Sequence, residues 1–117
     1  MNKQRKMKNT GLRGCGTALV TPFRNGEVDY EAFAALVDSQ VAADADFLVP
    51  LGTTGETPCL TDEEKIKVLT VAKERSCGKP IVAGVGTNSL EHTIANIKLL
   101  EPHGVDVFLV VVPYYNK

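Results

Sequence analysis

Four short segments hold the side chains that could do chemistry: Thr21-Pro22, Gly52-Thr53-Thr54-Gly55-Glu56, Gly86-Thr87-Asn88 and Tyr114-Tyr115-Asn116. They offer hydroxyls, amides and glycines, with no His/Cys/Asp/Glu cluster at metal-ligand spacing. Placed hydroxyls can pass protons, and glycine lets backbone N–H groups come close to a ligand. The set suits a small anionic organic molecule and proton relay through hydroxyls. Each segment also has a plainer reading. Thr53 and Thr54 fit the satisfaction of loop backbone groups, a common use of threonine. Tyr114 and Tyr115 fit packing at a rim. Glu56 fits either a general base or a carboxylate complementing a helix dipole. Cys59 reads as a small buried or half-buried residue, because no histidine lies near it in sequence to activate a thiolate. His92 and His103 read as surface or helix-end residues.

The elements that must position these groups alternate strand with helix. "CGTALV" (15–20), "DFLVPLG" (46–52), "PIVAGVG" (80–86) and "DVFLVVVP" (106–113) are apolar runs of strand length. The last three are continuous rather than alternating, which predicts parallel strands with both faces covered. "DYEAFAALVDSQVA" carries Phe33, Leu36, Val37 and Val41 at helical spacing behind Asp29 as N-cap. "TDEEKIKVLTVAKER" opens with Thr61 and Glu64 in the capping-box pattern and places Lys73 and Arg75 last, as a helix dipole prefers. Ile66, Leu69 and Ala72 mark its inner face, and Gly78 and Pro80 stop it. "SLEHTIANIKLLE" has Ser89 as cap and Leu90, Ile94 and Ile97 on one face.

Strand starts recur at intervals of about 30 residues, the length of one unit of a (βα)8 barrel. A doubly wound sheet has similar units, so spacing alone leaves both open. "VTPFRNG" lacks G-x-G-x-x-G after the first strand, "GVGTNS" lacks the third glycine, and "GTTGE" has no following Gly-Lys-Ser/Thr. Four such strands are half a barrel. A half-barrel leaves two strand edges and an apolar face open, so this reading makes the chain a piece of a larger barrel or assembly.

At 117 residues the chain is at most one ordinary domain, and 44% hydrophobic with 23% charged residues is a globular composition. Thirteen basic and fourteen acidic side chains leave a net charge of -1, which argues against a nucleic-acid or anionic-membrane binder. Residues 1–13, "MNKQRKMKNTGLR", are basic without an acid and read as a solvated, poorly ordered tail ahead of a partial barrel over 14–117. Gly11, Gly14 and Gly16 interrupt any signal-peptide core, and Met7 is a second candidate start. Cys15, Cys59 and Cys77 are odd in number and form no C-x-x-C, which suits free thiols in a reducing cytosol. No apolar run is long enough for a membrane helix. A cytoplasmic protein without metal is the expectation.

Taken together, "ALVTPF" (18–23), "LGTTGE" (51–56), "LTDEEK" (60–65), "VAGVGTN" (82–88) and "VPYYNK" (112–117) closely resemble the N-terminal part of the dihydrodipicolinate synthase family. The resemblance runs from about Gly14 to the last residue and takes in less than half the family's usual length. "GTTGE" alone marks a wider superfamily of pyruvate-dependent Schiff-base aldolases that includes N-acetylneuraminate lyase, and "PYYN" with the paired threonines favours the synthases. It implies the N-terminal half of a TIM (βα)8 barrel, usually a homotetramer, with no cofactor. The implied reaction condenses pyruvate with L-aspartate 4-semialdehyde through a lysine imine in the diaminopimelate and lysine pathway. Carried over by position, Thr53 matches a proton-relay threonine and Thr54 the threonine that binds the pyruvate carboxylate. Tyr115 matches a relay tyrosine that reaches a neighbouring subunit. Asn88 and Tyr114 match residues of an allosteric lysine pocket. Asp62, Lys65 and His92 depart from the two histidines and glutamate of lysine-sensitive members, so lysine inhibition of a full-length form should be weak or absent. The family's imine-forming lysine lies beyond residue 117, and Lys117 lacks a buried strand position to replace it. The alternatives are another class I pyruvate aldolase, such as N-acetylneuraminate lyase, and a non-enzymatic half-barrel that pairs with a second half.

Overall fold

Each of the four apolar runs becomes a strand in the computed structural model, which describes residues 12–111. In chain order the elements are β1 (Gly16–Ala18), β2 (Phe23–Arg24), β3 (Glu27–Val28), α1 (Tyr30–Ala42), β4 (Phe47–Val49), α2 (Asp62–Arg75), β5 (Val82–Gly84), α3 (Leu90–Leu100) and β6 (Val107–Leu109). Short 3-10 turns lie at Thr53–Gly55, Thr57–Cys59 and Glu101–His103.

β1 runs parallel to β4, with Gly16, Thr17 and Ala18 opposite Phe47, Leu48 and Val49. β5 runs parallel to β6, with Val82, Ala83 and Gly84 opposite Val107, Phe108 and Leu109. A parallel bridge between Leu48 and Ile81 joins the two pairs. Around it the Leu48 N–H donates to the Pro80 carbonyl at 3.1 Å and the Gly84 N–H to the Pro50 carbonyl at 3.2 Å. The spatial order β1-β4-β5-β6 therefore follows the chain. A doubly wound sheet reverses its strand order at a switch point, and no reversal occurs across these four strands.

One device starts both parallel pairs. The Asp46 N–H donates to the Cys15 carbonyl at 2.9 Å, and the Cys15 N–H returns to Asp46 Oδ2 at 2.7 Å. The Asp106 N–H donates to the Ile81 carbonyl at 3.0 Å, and the Ile81 N–H returns to Asp106 Oδ2 at 2.8 Å. Each carboxylate supplies the acceptor that a preceding residue's carbonyl would supply in a longer ladder. A one-residue slip would break both bonds of a pair, so the aspartates hold the register.

β2 and β3 form a small antiparallel hairpin, Phe23 opposite Val28 and Arg24 opposite Glu27. Its turn residues, Asn25 (φ 54°) and Gly26 (φ 81°), both lie in the left-handed region, as a two-residue type I′ turn requires. The strand–helix reading of the sequence omits this hairpin. Its Asn-Gly signal lies in "VTPFRNG", a segment weighed there only for phosphate binding.

The helix starts follow the sequence expectation. Asp29 Oδ1 accepts from the Ala32 N–H at 3.0 Å. Thr61 and Glu64 form a reciprocal capping box at 3.1 and 2.8 Å. Ser89 Oγ accepts from the His92 N–H at 3.3 Å. Phe33, Val37, Val68, Leu69 and Ala72 are fully buried against Leu19, Leu48, Ile81 and Leu100 in one core between helices and sheet. Leu36, Val41 and Ile66 are partly buried at its edge.

Two expectations need correcting. Of the face marked by Leu90, Ile94 and Ile97, only Ile97 packs against the core: Leu90 and Ile94 are 66% and 43% exposed, while Thr93 and Leu100 are buried. The inward stripe is polar at its start because Thr93 Oγ1 accepts from the Thr87 N–H at 3.0 Å and Asn96 Nδ2 donates to the Val85 carbonyl at 3.2 Å. The strands are also not all covered on both faces. Every residue of β5 is buried, but in β4 only Leu48 is, and Leu109 of β6 is 45% exposed. The helices cover one face, and little within residues 12–111 covers the other at the outer strands. No described helix is long and apolar enough to cross a membrane.

The aspartate clamp yields a prediction. Removing a charged acceptor from a partly buried N–H costs about 1–3 kcal/mol. Asp106→Ala should lower the urea midpoint accordingly, and Asp106→Asn, which keeps an acceptor, should lower it less. Equal midpoints for all three proteins would contradict the clamp.

Candidate functional site

The first three strand-end segments meet at one end of the sheet because the backbone there is closely fitted. After β4 the chain turns at Leu51, which is 2% exposed and has φ 65°. A bulky residue in the left-handed region is a true conformational outlier and needs surrounding structure to hold it. Glycine supplies that room on the adjacent strand. A Cβ at Gly84 would overlap the Leu51 carbonyl and come within 2.9 Å of Gly52 Cα. Two residues past β5, a Cβ at Gly86 would come within 2.6 Å of the Val111 N atom.

Two consecutive 3-10 turns then carry the threonines. The Gly55 and Glu56 N–H groups donate to the Gly52 and Thr53 carbonyls, both at 3.0 Å, and Glu56 takes φ 56° between the turns. Thr57 Oγ1 donates to the Gly52 carbonyl at 2.9 Å and ties the second turn to the strand end. Sequence reasoning passed over Thr57, although a threonine just past "GTTGE" is a ready local donor. Thr21 belongs to the first of the strand-end segments. It is 3% exposed, and its hydroxyl has no hydrogen-bond partner among the described residues. That hydroxyl stands 3.1 Å from where a Cβ on Gly55 would lie, so the segment that follows β1 packs directly under the threonine turn.

The result is a cavity of about 340 Å³ at the C-terminal strand ends, lined by Leu51, Thr53, Thr57, Gly84, Gly86 and Leu109 among others. Thr53 opens onto it. Thr54, in the same turn, is exposed and is not among the lining residues. A second cavity of about 300 Å³ shares Thr57, Pro58 and Gly86 with the first and adds Lys65, Thr87, Asn88 and Asn96. Thr53 and Asn88 therefore face neighbouring cavities separated by Thr57, Pro58 and Gly86. Tyr114 and Tyr115 lie outside the described residues.

The other candidates fall elsewhere. Cys59 is exposed, contrary to the buried or half-buried expectation, because it ends a 3-10 turn that stands on the surface. Cys15 and Cys77 are also exposed and free. His92 is exposed on α3, and His103 ends the turn after it. No group of three or more His, Cys, Asp or Glu that could hold a metal occurs among the described residues. Burial, and then Glu64, Glu27 and Glu63, push the Tyr30 phenol above its usual value, while Lys67 Nζ lies 4.3 Å from the centre of its ring.

Residues 11–117 match the Dihydrodipicolinate synthetase family. The chain belongs to this family. It is 49% identical over 113 residues to the 4-hydroxy-tetrahydrodipicolinate synthase of Parabacteroides distasonis, covering 95% of this chain and 38% of that protein. The dihydrodipicolinate synthase structure from Thermotoga maritima superposes with a TM-score of 0.86 at 45% identity, over 90% of this chain and 36% of that one. A chloride-inhibited dihydrodipicolinate synthase from Acinetobacter baumannii, complexed with pyruvate, gives 0.84 at 36% identity, over 89% of this chain and 36% of that one. The chain thus spans just over a third of the length of these relatives.

The fit at Gly84 carries the site geometry and can be tested. Gly84→Ala must push the Leu51 carbonyl and Gly52 away, and overpacking of this kind costs about 1–3 kcal/mol. Chemical denaturation should show that loss, together with shifts in the Gly52 and Thr53 amide resonances. An alanine variant of wild-type stability would contradict the close approach.

Proposed function

We propose that residues 14–117 are strands one to four of a (βα)8 barrel in a 4-hydroxy-tetrahydrodipicolinate synthase, with residues 1–13 as a basic tail. The observation that carries this reading is 49% identity to a synthase across 95% of the chain. The parallel strands in chain order and the cavity at their C-terminal ends support it, because chemistry in such barrels sits at that face. The full-length protein would condense pyruvate with L-aspartate 4-semialdehyde, without cofactor, as a cytoplasmic homotetramer.

In this reading Thr53 passes protons at the cavity wall, and Thr54 holds the pyruvate carboxylate. Tyr115 completes the relay of a neighbouring subunit. Asn88 and Tyr114 belong to the adjoining effector pocket. The nucleophile is a lysine of the later strands, and an imine to it serves as electron sink for carbon–carbon bond formation. Residues 1–117 supply the acid–base and carboxylate side of the site and not the imine, so this chain alone is inactive.

A chimera tests the function. Residues 14–117 replacing the matching part of the Thermotoga maritima synthase should restore condensation, and Thr53→Val in it should lower kcat about 10²–10⁴-fold, the usual contribution of a placed proton-transfer group. A folded but inactive chimera, or an unaffected Thr53→Val, would overturn the reading. Borohydride treatment of the 117-residue chain with pyruvate should leave its mass unchanged. A stable covalent adduct would show that the chain carries its own imine-forming amine.

A further inference from the structure

Of the six asparagines in the chain, Asn25 is the one followed by glycine. The backbone nitrogen of the next residue can attack an asparagine side chain. A side chain on that residue crowds the attack, and glycine has none. Asn25 and Gly26 are both exposed, and a Cβ at Gly26 would meet nothing within 4 Å. Neither the Asn25 amide nor the Gly26 N–H is hydrogen-bonded among the described residues. Asn88 and Asn96 differ. Ser89 and Ile97 follow them, and Asn96 Nδ2 is held by the Val85 carbonyl.

The folded turn works against the reaction. Type I′ dihedrals point the Gly26 nitrogen away from the Asn25 side chain, so a five-membered ring closes only when the turn opens. Opening it takes little. The hairpin has two residue pairs, and three of its four strand residues are exposed. A two-stranded hairpin is marginal by itself, and such segments open locally.

We propose that Asn25 is a deamidation site gated by opening of the β2–β3 hairpin. With the turn open, the Gly26 nitrogen gives its proton to solvent base and attacks Asn25 Cγ. The new C–N bond forms, the Cγ–Nδ2 bond breaks, and Nδ2 leaves as ammonia with a proton from water. Water then opens the succinimide. Attack at Cγ leaves aspartate; attack at the main-chain carbonyl leaves isoaspartate, whose backbone runs through the side chain. One water is consumed, one ammonia is released, and nothing is oxidised or reduced.

Either product disturbs this corner. Glu27, Asp29 and Glu31 line the hollow that Asn25 borders, and Arg24 is the one cation lining it, so an aspartate adds like charge. Isoaspartate lengthens the main chain of a two-residue turn and spoils the Phe23–Val28 pairing. Val28 belongs to the core, and Asp29 beside it caps α1 and donates its N–H to the Pro22 carbonyl at 2.8 Å. The inference stands whether or not the synthase reading does.

The test follows the 117-residue chain in mildly alkaline buffer over days. Peptide mapping by mass spectrometry locates the product, and enzymatic methylation counts isoaspartate. Product is expected at Asn25 ahead of the other five asparagines, and sooner still in guanidinium chloride, where the turn is lost. Gly26→Ala should slow the reaction at least about tenfold by crowding the attack, although alanine at φ 81° strains the turn. Phe23→Ala, at a position 40% exposed, loosens the hairpin and should give a rate in buffer between the wild-type and denatured rates. An Asn25 that stays intact in buffer, earlier product at Asn88 or Asn96, a Gly26→Ala rate equal to wild type, or a Phe23→Ala rate in buffer equal to wild type would overturn the proposal.

Discussion

The approach of the Leu51 carbonyl to Gly84 is the contact on which the candidate site depends. It brings the end of β4 against the end of β5 with no side chain between them. Leu51 can occupy the left-handed region only because the surroundings fix it, and Gly52 then starts the turn that carries Thr53. With a Cβ at Gly84 the turn would have to rise off the sheet, and Thr53 would leave the cavity wall. The site is thus set by two strand ends and a missing methyl group more than by any interaction of the threonines themselves.

The polar side of α3 extends the same logic. Thr93 and Asn96 face inward and bind the loop after β5 through the Thr87 N–H and the Val85 carbonyl. That loop forms the boundary between the two cavities. A helix packed through Leu90 and Ile94 would sit rotated about its axis and leave those loop groups without their partners. Hydrogen-bond satisfaction of the loop outweighs the periodicity of two apolar side chains.

Much of the frame was legible because its signals are local. Thr61 with Glu64, Asp29 and Ser89 act within three residues of themselves, and each does what its position implies. The four apolar runs also needed no long-range knowledge. Strand order did, since spacing cannot distinguish a sheet that continues from one that reverses; the Leu48–Ile81 bridge makes that distinction. The inward stripe of α3 was not legible, because the partners of Thr93 and Asn96 lie on another segment. The left-handed turn at Leu51 was not either, because neither glycine nor asparagine marks it. The hairpin at Asn25–Gly26 is different: its signal was present and was weighed for the wrong purpose. Of the candidate residues, Thr53 and Asn88 lie on cavity walls, and Thr57 gains importance only from what it touches.

The paired aspartate clamps bear on how such a sheet is assembled in time. Asp46 reaches back 31 residues to Cys15, and Asp106 reaches back 25 to Ile81. Loop-closure entropy grows only slowly with length, so each pair can find its register within its own segment, before the two halves meet. Parallel pairing is ordinarily slow, and strand edges exposed along the way invite aggregation. A carboxylate at the head of the second strand of each pair turns one long search into two short ones, leaving the Leu48–Ile81 bridge as the junction between them.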